Sequence, residues 1–555
     1  MSPTSEILKA KLLHKEGQLN QALRLYSEIL NKWPNNIKAK HGILQVYEGS
    51  LPSNNYSTQT KIQIQILSSL LKKEKLTDAL LYGTIVTEQS KNEPSLYNLM
   101  GIINGKLGNS EKAIFYFKRL IKIQPTQHEA YNNIGIILKN VKRFNEAIDY
   151  FSKAIKIMPT YSSPYYNLGS IYEKLNQIGN LEDLTKRASS KLQEKDPIIL
   201  LFQAQLESTK GNTEKSLEIL LDIEPSKLPS QFRTDFYSLR GKAYDKLGEF
   251  SQAFKSFETQ NKLSEELNQD KLPESESFLI ETYQLKNSWQ SIKSYKSKKF
   301  DFIEKDNLVF LLGFPRTGTT LLDTILMGHP DIIVLEEAPM AEIMIEDFNG
   351  IGTPEDCYNL TKTDLVEFRK LYKIELEKQL GYSSKGKLIV DKHPLNTRYI
   401  PLLHHAFPDA KFIVALRHPC DCILSCFMQN FEFNKGTGNL ISLTKSTELY
   451  DATMGLWVAL ESKLKLNAQT VRYEDLIEDV DAICRPLISF LGLKWVDGIL
   501  DHTKTAKERT QISTASYNQV TQTIYKTAKG RWSNYEDQLS EILPKLDPYI
   551  KKFGY

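Results

Sequence analysis

A glycine-containing turn between an apolar run and a helical segment holds the residues best suited to chemistry. The run Leu308–Leu312 is short and apolar, and the turn after it contains Gly313, Arg316 and Gly318. Apolar residues then recur at helical spacing. A buried parallel strand followed by a glycine turn and a helix directs backbone N–H groups and the positive end of the helix at one anion. The stretch therefore predicts an anion-binding site.

The turn differs from an ATP-binding P-loop at its lysine. The nucleotide version is G-x-x-x-x-G-K-[ST], and its lysine reaches the β- and γ-phosphates. Here the glycines keep their spacing and Thr320 fits the last position, but Thr319 replaces the lysine and a cation comes earlier, at Arg316. The turn therefore indicates a smaller, differently placed anion and disfavours an ATP or GTP hydrolase. A purely structural turn is the alternative on these residues alone.

Three later apolar runs end in polar side chains. The runs are KLIVDK, AKFIVALR and AQTVRYEDL, and their closing residues are Lys392, Arg417 and Tyr473. Short apolar runs that alternate with helical segments predict βα units and a parallel sheet. Ligands of such sheets bind at the carboxyl ends of the strands. We therefore expect these side chains to join Arg316 around a multiply anionic nucleotide.

The first half of the chain repeats with a period of 34 residues. The step is kept by Tyr97, Tyr131 and Tyr165 and by Gly101, Gly135 and Gly169. Small residues at this period lie where two helices cross closely, which is the pattern of tetratricopeptide (TPR) repeats. About seven units are predicted over residues 1–260, clearest over 94–170. Such units stack into a superhelix whose concave face binds extended peptides or a protein partner.

Three segments follow from these patterns. We predict an all-α TPR solenoid over 1–260, a lysine-rich linker or capping helix over 261–305, and a P-loop-like α/β domain with a parallel sheet over 306–555. The fold class is therefore an α solenoid followed by an α/β domain.

Composition excludes several classes of protein. With 71 basic and 67 acidic residues, no pull toward nucleic acid is expected. No apolar run approaches the roughly 18 residues of a membrane span, and no secretory signal is recognised at the N-terminus. Three of the five cysteines, Cys420, Cys422 and Cys426, crowd together without the spacing of a zinc site. Reduced thiols and a cytoplasmic location are the expectation.

Two motifs together resemble the sulfotransferases that use 3′-phosphoadenosine 5′-phosphosulfate (PAPS). FPRTGTT resembles their 5′-phosphosulfate loop, and VALRHPCDCILSCF resembles their 3′-phosphate motif, an arginine (Arg417) followed eight residues later by a serine (Ser425). The loop, HPDIIVLEE and VRYEDL are similar to the tyrosylprotein sulfotransferase branch and to bacterial TPR–sulfotransferase fusions. The resemblance covers roughly residues 305–535. It implies PAPS as co-substrate, a hydroxyl acceptor and no metal.

The resemblance also implies a role for each matching residue. Those matched to the 5′-phosphosulfate are Arg316, Thr317, Gly318, Thr319, Thr320 and Ser516. Those matched to the rest of the nucleotide are Arg417, Ser425, Tyr473 and Arg531. Glu337 matches the catalytic base, and Lys392 matches the lysine at the transferring sulfuryl group, where Arg316 also acts.

The base has two candidates. Sulfuryl transfer needs in-line positioning and charge neutralisation more than covalent help, and the acceptor hydroxyl needs a proton acceptor. Glu337 is the predicted base. His393, next to Lys392, is the alternative, because cytosolic sulfotransferases use a histidine in this neighbourhood.

The sequence also departs from the tyrosylprotein branch. Those enzymes are luminal, anchored in a membrane and disulfide-bonded, and none of these features is recognised here. Ala338 and Pro339 follow Glu337 where that branch has polar residues. The acceptor therefore stays open among a tyrosyl peptide, a glycan and a small alcohol. The predicted function is a PAPS-dependent sulfotransferase whose TPR array recruits the acceptor or a partner, and the alternative is a TPR scaffold with an inactive sulfotransferase-like domain.

Overall fold

The computed structural model describes residues 3–48, 56–90, 92–175, 177–192, 196–298, 300, 302, 306–338, 340–341, 352–381, 386–508 and 528–555. The chain forms two compact units, Met1–Phe202 and Gln203–Tyr555. Among the described residues, no helix combines the length and the apolar character that a membrane span requires.

Helices alone precede the first strand in the described part of the chain. They are α1 (Pro3–Lys15), α2 (Leu19–Lys32), α3 (Ile37–Glu48), α4 (Tyr56–Lys72), α5 (Leu76–Gln89), α6 (Pro94–Lys106), α7 (Ser110–Ile123), α8 (His128–Asn140), α9 (Phe144–Ile157), α10 (Ser163–Lys174), α11 (Ile178–Lys191), α12 (Pro197–Thr209), α13 (Thr213–Leu221), α14 (Ser230–Lys246), α15 (Phe250–Leu267) and α16 (Leu272–Ser291). This confirms the predicted all-α repeat region.

Close contact between a glycine and an aromatic ring explains the 34-residue period within the first unit. A Cβ placed on Gly101 in α6 would lie 2.7 Å from the Phe117 ring of α7, and one placed on Gly135 in α8 would lie 2.6 Å from the Phe151 ring of α9. Both distances are too short for a carbon–carbon contact. In these two repeats the first helix therefore has a glycine where the second helix fills the space with a phenylalanine.

The second half of the chain alternates strands and helices. The strands are β1 (Leu308–Gly313), β2 (Ile332–Glu336), β3 (Leu388–Lys392), β4 (Lys411–Leu416) and β5 (Ala468–Arg472). The helices are α17 (Thr319–Met327), α18 (Pro354–Asn359), α19 (Lys362–Leu380), α20 (Ile400–Ala406), α21 (Pro419–Phe427), α22 (Leu443–Leu464), α23 (Tyr473–Glu478), α24 (Val480–Leu491), α25 (His502–Glu508), α26 (Glu536–Leu539) and α27 (Leu543–Lys552). Short 3-10 turns include Pro394–Tyr399 and Arg531–Tyr535.

The strands form one parallel sheet in the order β2-β3-β1-β4-β5. This confirms the predicted α/β architecture, and β1 is buried along its whole length, as its apolar run predicts. Glu336 pairs with Lys392, and Gly313 pairs with Ala415. The carboxyl ends of the strands therefore lie side by side. The strand β2 was not predicted, although its run of β-branched residues is a strand signal.

The two faces of the sheet bury different cores. Phe310 of β1 belongs to a large core with α15, α16, α19 and α22, and Leu311 belongs to a smaller core with α17 and α24. Successive side chains of a strand point to opposite faces. On β3, Asp391 accepts a 2.6 Å hydrogen bond from the hydroxyl of Tyr372 on α19, while the next residue, Lys392, contacts α17.

Helices α15 and α16 belong to the same core as the sheet. Phe257, Phe278 and Trp289 lie in one apolar cluster with residues of β1 and β4. The indole of Trp289 donates a 2.7 Å hydrogen bond to the carbonyl of Gly352. The amide of Asn261 donates one of 2.9 Å to the carbonyl of Phe427. Helices α15 and α16 are therefore part of the second compact unit, which begins at Gln203.

Candidate active site at the carboxyl edge of the sheet

The turn from β1 to α17 connects a buried strand to the start of a helix, as the sequence predicts. Gly318 precedes the helix with φ +89°, and a Cβ there would lie 2.5 Å from the Tyr473 ring. The turn is closed by the Thr317 hydroxyl, which donates to the Phe314 carbonyl at 2.8 Å. Thr319 begins α17, and the first N–H groups of a helix have no partner within the helix. These groups and the helix dipole favour an anion in front of the turn.

Arg316 links this turn to the second motif. Its backbone has φ +72°, a left-handed conformation that costs a residue other than glycine about 1–2 kcal/mol. Its Nε donates a 3.1 Å hydrogen bond to Oγ of Ser425 on α21. The two motifs of the predicted nucleotide site are therefore in direct contact, although they lie far apart in the sequence.

Arg417, which follows β4, contacts the same turn. Only 7% of the residue is exposed. Its two terminal nitrogens donate to the carbonyls of Arg316, at 3.1 Å, and of Ala528, at 2.6 Å. The guanidinium carbon lies 4.9 Å from the centre of the Tyr473 ring. Its Nε is buried and has no hydrogen-bond partner in the part of the chain that the structure describes. A buried donor of this kind fits an anionic ligand such as a phosphate.

Lys392, at the end of β3, is surrounded by carboxylates. It is completely buried, and its Nζ lies 2.9 Å from Glu337, 3.3 Å from Asp323 and 3.6 Å from Glu336. Burial acts to lower the pKa of Lys392, but the three carboxylates, with Asp323 foremost, raise it above its ordinary value. The ammonium is therefore charged at neutral pH.

Glu337 leaves the end of β2 in a strained conformation. Its φ is +48°, and its backbone N–H donates to the Lys392 carbonyl at 2.7 Å. The side chain is 35% exposed, unlike that of Lys392. Left-handed backbone at residues other than glycine concentrates at functional sites. A half-exposed carboxylate beside a buried ammonium can accept a proton from a bound hydroxyl group.

The remaining predicted residues have different surroundings. Arg531 forms an ion pair with Asp245 of α14, and Asp245 also accepts a 2.7 Å hydrogen bond from Tyr535. Its predicted place beside the nucleotide stays a prediction. Ser516 lies outside the described residues. The half-buried His393 follows Lys392, and its backbone N–H donates to the Leu311 carbonyl at 3.2 Å. The structure therefore leaves His393 as the alternative base.

Sequence reasoning missed two buried acidic residues at this edge. Asp323 interrupts the apolar face of α17 and lies against Lys392. Asp421 on α21 accepts hydrogen bonds from the N–H groups of Gly530, at 2.8 Å, and Trp532, at 2.9 Å. It thereby fixes the segment whose Ala528 carbonyl contacts Arg417. A lone aspartate within an otherwise apolar helix could have signalled the first of them.

Comparison with known proteins found relatives of both halves of the chain. A family model described as "Sulfotransferase family" matches residues 308–497, and tetratricopeptide-repeat models match 94–127 and 128–161. An uncharacterized protein of Aquifex aeolicus is 25% identical over 389 residues, which are 68% of this chain and 50% of the relative. Protein-tyrosine sulfotransferase A of Caenorhabditis elegans is 23% identical over 257 residues, 44% of this chain and 67% of the relative. The nodulation protein NoeE of Sinorhizobium fredii is 26% identical over 209 residues, 33% of this chain and 50% of the relative.

The chain thus spans about half the length of the Aquifex and Sinorhizobium proteins. Among solved structures, the sulfotransferase domain of a Synechococcus olefin synthase is 20% identical with a TM-score of 0.30, covering 43% of this chain and 91% of that domain. These similarities rest on the sequence comparisons. Residues 308–497 are similar to the sulfotransferase family, and residues 94–127 and 128–161 are similar to tetratricopeptide repeats.

Proposed function

We propose that this protein transfers a sulfuryl group from PAPS to a hydroxyl acceptor. The observation that carries the proposal is the contact of 2.9 Å between Glu337 and Lys392. The two residues come from neighbouring strands and meet at the edge of the sheet that also holds the anion turn. A proton acceptor and a buried cation beside an anion site are what sulfuryl transfer to a hydroxyl requires.

The reaction balances with these groups. The acceptor oxygen attacks sulfur, and the bond between sulfur and the bridging oxygen of the 5′-phosphate breaks. The acceptor's proton passes to Glu337, and the electron pair of the broken bond stays on the phosphate of 3′-phosphoadenosine 5′-phosphate (PAP). Lys392 would stabilise the charge that grows on the bridging oxygen, because an ammonium in a dry site acts strongly on nearby charge.

The nucleotide would be held by the motifs around the turn. Arg316 and the first amides of α17 would bind the 5′-phosphosulfate. Arg417 and Ser425 would bind the 3′-phosphate, and the buried Nε of Arg417 supports this assignment because it needs an acceptor. Side-chain cations neutralise the donor in this proposal, so no metal ion is required.

The repeat region would supply the acceptor. TPR arrays bind extended peptides and proteins on their concave face. In this proposal the array recruits a protein, peptide or glycan acceptor, or a separate partner. Binding energy from parts of the acceptor remote from the hydroxyl would then raise kcat/KM.

Two measurements test the proposal. The first is thermal shift of the full chain with PAP and with ATP, and we expect PAP to stabilise the protein more strongly. The second is transfer from ³⁵S-labelled PAPS to a tyrosine-containing peptide, a chitin oligosaccharide and p-nitrophenol, with one of these classes becoming labelled. Stronger stabilisation by ATP would contradict the proposal in favour of a hydrolase. Binding of PAP without transfer to any acceptor class would favour a scaffold with an inactive domain.

A further inference from the structure

Asp323 is a completely buried carboxylate on α17 to which the proposed reaction assigns no role. Its Oδ1 accepts a hydrogen bond of 3.2 Å from the Thr324 hydroxyl, and its Oδ2 lies 3.3 Å from Nζ of Lys392. The helix that carries it starts at the anion turn and packs on β2 and β3. Burying a carboxylate is costly unless it is paired with a cation. The pair with Lys392 therefore accounts for a charge on the apolar side of this helix.

Asp323 and Glu337 both form ion pairs with the ammonium of Lys392, but the two carboxylates differ in exposure. The Glu337 side chain is 35% exposed, whereas that of Asp323 is fully buried on a helix. Only Glu337 can therefore meet an acceptor from solvent. Once Glu337 takes a proton it becomes neutral, and its attraction for Lys392 falls. At that moment Lys392 needs another anionic partner to keep its position.

We propose that Asp323 is a positioning residue that keeps the ammonium of Lys392 charged and in place while Glu337 accepts the proton of the acceptor. This inference rests on the proposed sulfuryl transfer. It explains why Lys392 contacts both an exposed and a fully buried carboxylate: Glu337 exchanges a proton, and Asp323 does not.

The charged groups that face Lys392 set the expected pH behaviour. In the part of the chain that the structure describes, they include Asp323 from α17 and Glu336 and Glu337 from the end of β2. Burial lowers the pKa of Lys392, and Asp323 makes the largest of the opposing contributions. Loss of the Asp323 charge should therefore lower the pKa of Lys392. The alkaline limb of the kcat profile should then move to lower pH, because Lys392 must be charged in the reaction.

The test compares Asp323→Asn with Asp391→Asn in the full chain. Both aspartates are fully buried, and Asp391 precedes Lys392 on β3 but contacts Tyr372 on the other face of the sheet. With ³⁵S-labelled PAPS and the best acceptor, Asp323→Asn should lower kcat at least about 10-fold and move the alkaline limb to lower pH. The KM for PAPS should stay within about 3-fold, as expected when an interaction acts mainly in the transition state. Asp391→Asn should leave kcat and its pH profile unchanged.

Asp323→Asn removes the fully buried carboxylate partner of a buried ammonium, and the variant could unfold for that reason. A double-mutant cycle keeps the test decisive in that case. The cycle adds Lys392→Met and the double variant Asp323→Asn/Lys392→Met, in which no buried ammonium remains. We expect kcat of the double variant to equal that of Lys392→Met, since Asp323 acts through Lys392. A further 10-fold loss in the double variant would overturn the inference. So would an Asp323→Asn enzyme with the wild-type pH profile. A wild-type protein that transfers no sulfuryl group would instead remove the proposed function, and this inference with it.

Discussion

Nε of Arg316 and Oγ of Ser425 lie 3.1 Å apart, in a hydrogen bond that joins residues 109 positions apart in the chain. Arg316 belongs to the turn that we assign to the 5′-phosphosulfate, and Ser425 to the motif that we assign to the 3′-phosphate. The carbonyl of Arg316 also accepts a hydrogen bond from Arg417. In this assignment, the 5′-phosphosulfate and the 3′-phosphate would be bound by two side chains, Arg316 and Ser425, that are hydrogen-bonded to each other.

Replacement of Ser425 should reveal which end of the nucleotide it serves. Ser425→Ala removes a hydrogen bond to a charged group, so PAP binding should weaken by about 1.5–3 kcal/mol. AMP lacks the 3′-phosphate, and its affinity should change much less. Isothermal titration calorimetry with both nucleotides checks this, and the exposed Ser462→Ala is the matched control. An equal loss for PAP and AMP would contradict the assignment to the 3′-phosphate.

Replacement of Glu337 should identify the base. Glu337→Gln keeps the shape and removes the basicity, so kcat should fall by about 10²- to 10⁴-fold while PAP affinity barely changes. Glu336→Gln is the control, because Glu336 also faces Lys392 but from 3.6 Å. Glu336→Gln should lower kcat much less than Glu337→Gln does. If His393→Ala abolishes turnover and Glu337→Gln keeps more than about a third of it, His393 is the base.

Chelation should leave turnover intact. In the proposed reaction, Arg316, Lys392 and Arg417 neutralise the donor, so excess EDTA should change kcat by less than about 2-fold. The measurement is steady-state transfer before and after dialysis against EDTA, with added Mg²⁺ as the control. Activity that is lost and then restored only by Mg²⁺ would support a hydrolase.

The buried pair of Asp391 and Tyr372 predicts a pH-dependent stability. Burial raises the pKa of Asp391 to about 7, although its hydrogen bond from Tyr372 acts in the opposite direction. The folded state then binds a proton that the unfolded state has lost, so this residue lowers stability as pH rises from about 4 to about 7. The lost stability is on the order of 4 kcal/mol.

Asp391→Asn should therefore stabilise the protein at pH 8 and have little effect near pH 4. Thermal or urea unfolding at the two pH values measures the difference. Tyr372→Phe serves as a control for the hydrogen bond alone, since it should destabilise the protein most where Asp391 is ionised. A stability gain for Asp391→Asn that is the same at both pH values would refute the ionisation of this carboxyl group as the cause.

The extent of the catalytic unit can be tested with fragments. A fragment of residues 203–555 keeps the whole second compact unit, and we expect it to fold and bind PAP. A fragment of residues 300–555 lacks Phe278 and Trp289, which are buried in the core of the sheet. Burial of each such side chain contributes about 1.5–3 kcal/mol, so this fragment should be unfolded or aggregated. Circular dichroism and thermal shift with PAP distinguish the two outcomes.

The sequence predicted the elements whose apolar period is strong. The 34-residue repeat and the apolar run of β1 each follow from burial on a regular element. The strand β2 was missed because its short run also fits a return loop after α17. The packing of α16 was missed because its buried side chains, such as Trp289, contact residues distant in the sequence.

Among the site residues, the sequence could predict mainly those that follow an apolar run at the end of a strand. Arg316, Lys392 and Arg417 each follow an apolar run, and parallel pairing brings such positions to one edge. Asp323 and Asp421 lie inside helices, and their roles depend on which side chains face them across the fold. Arg531 pairs with Asp245, a partner on a helix of the repeat region that no local pattern indicates.

The left-handed backbone of Arg316 and Glu337 has a consequence for directed evolution. Glycine adopts this conformation without the cost of about 1–2 kcal/mol that other residues bear, and asparagine bears less of it than most. A saturation library selected for thermal stability should therefore enrich glycine and asparagine at both positions. A library selected for sulfuryl transfer should return arginine and glutamate. If the two selections enrich different residues at positions 316 and 337, both positions lower the stability of the protein and are retained for its activity.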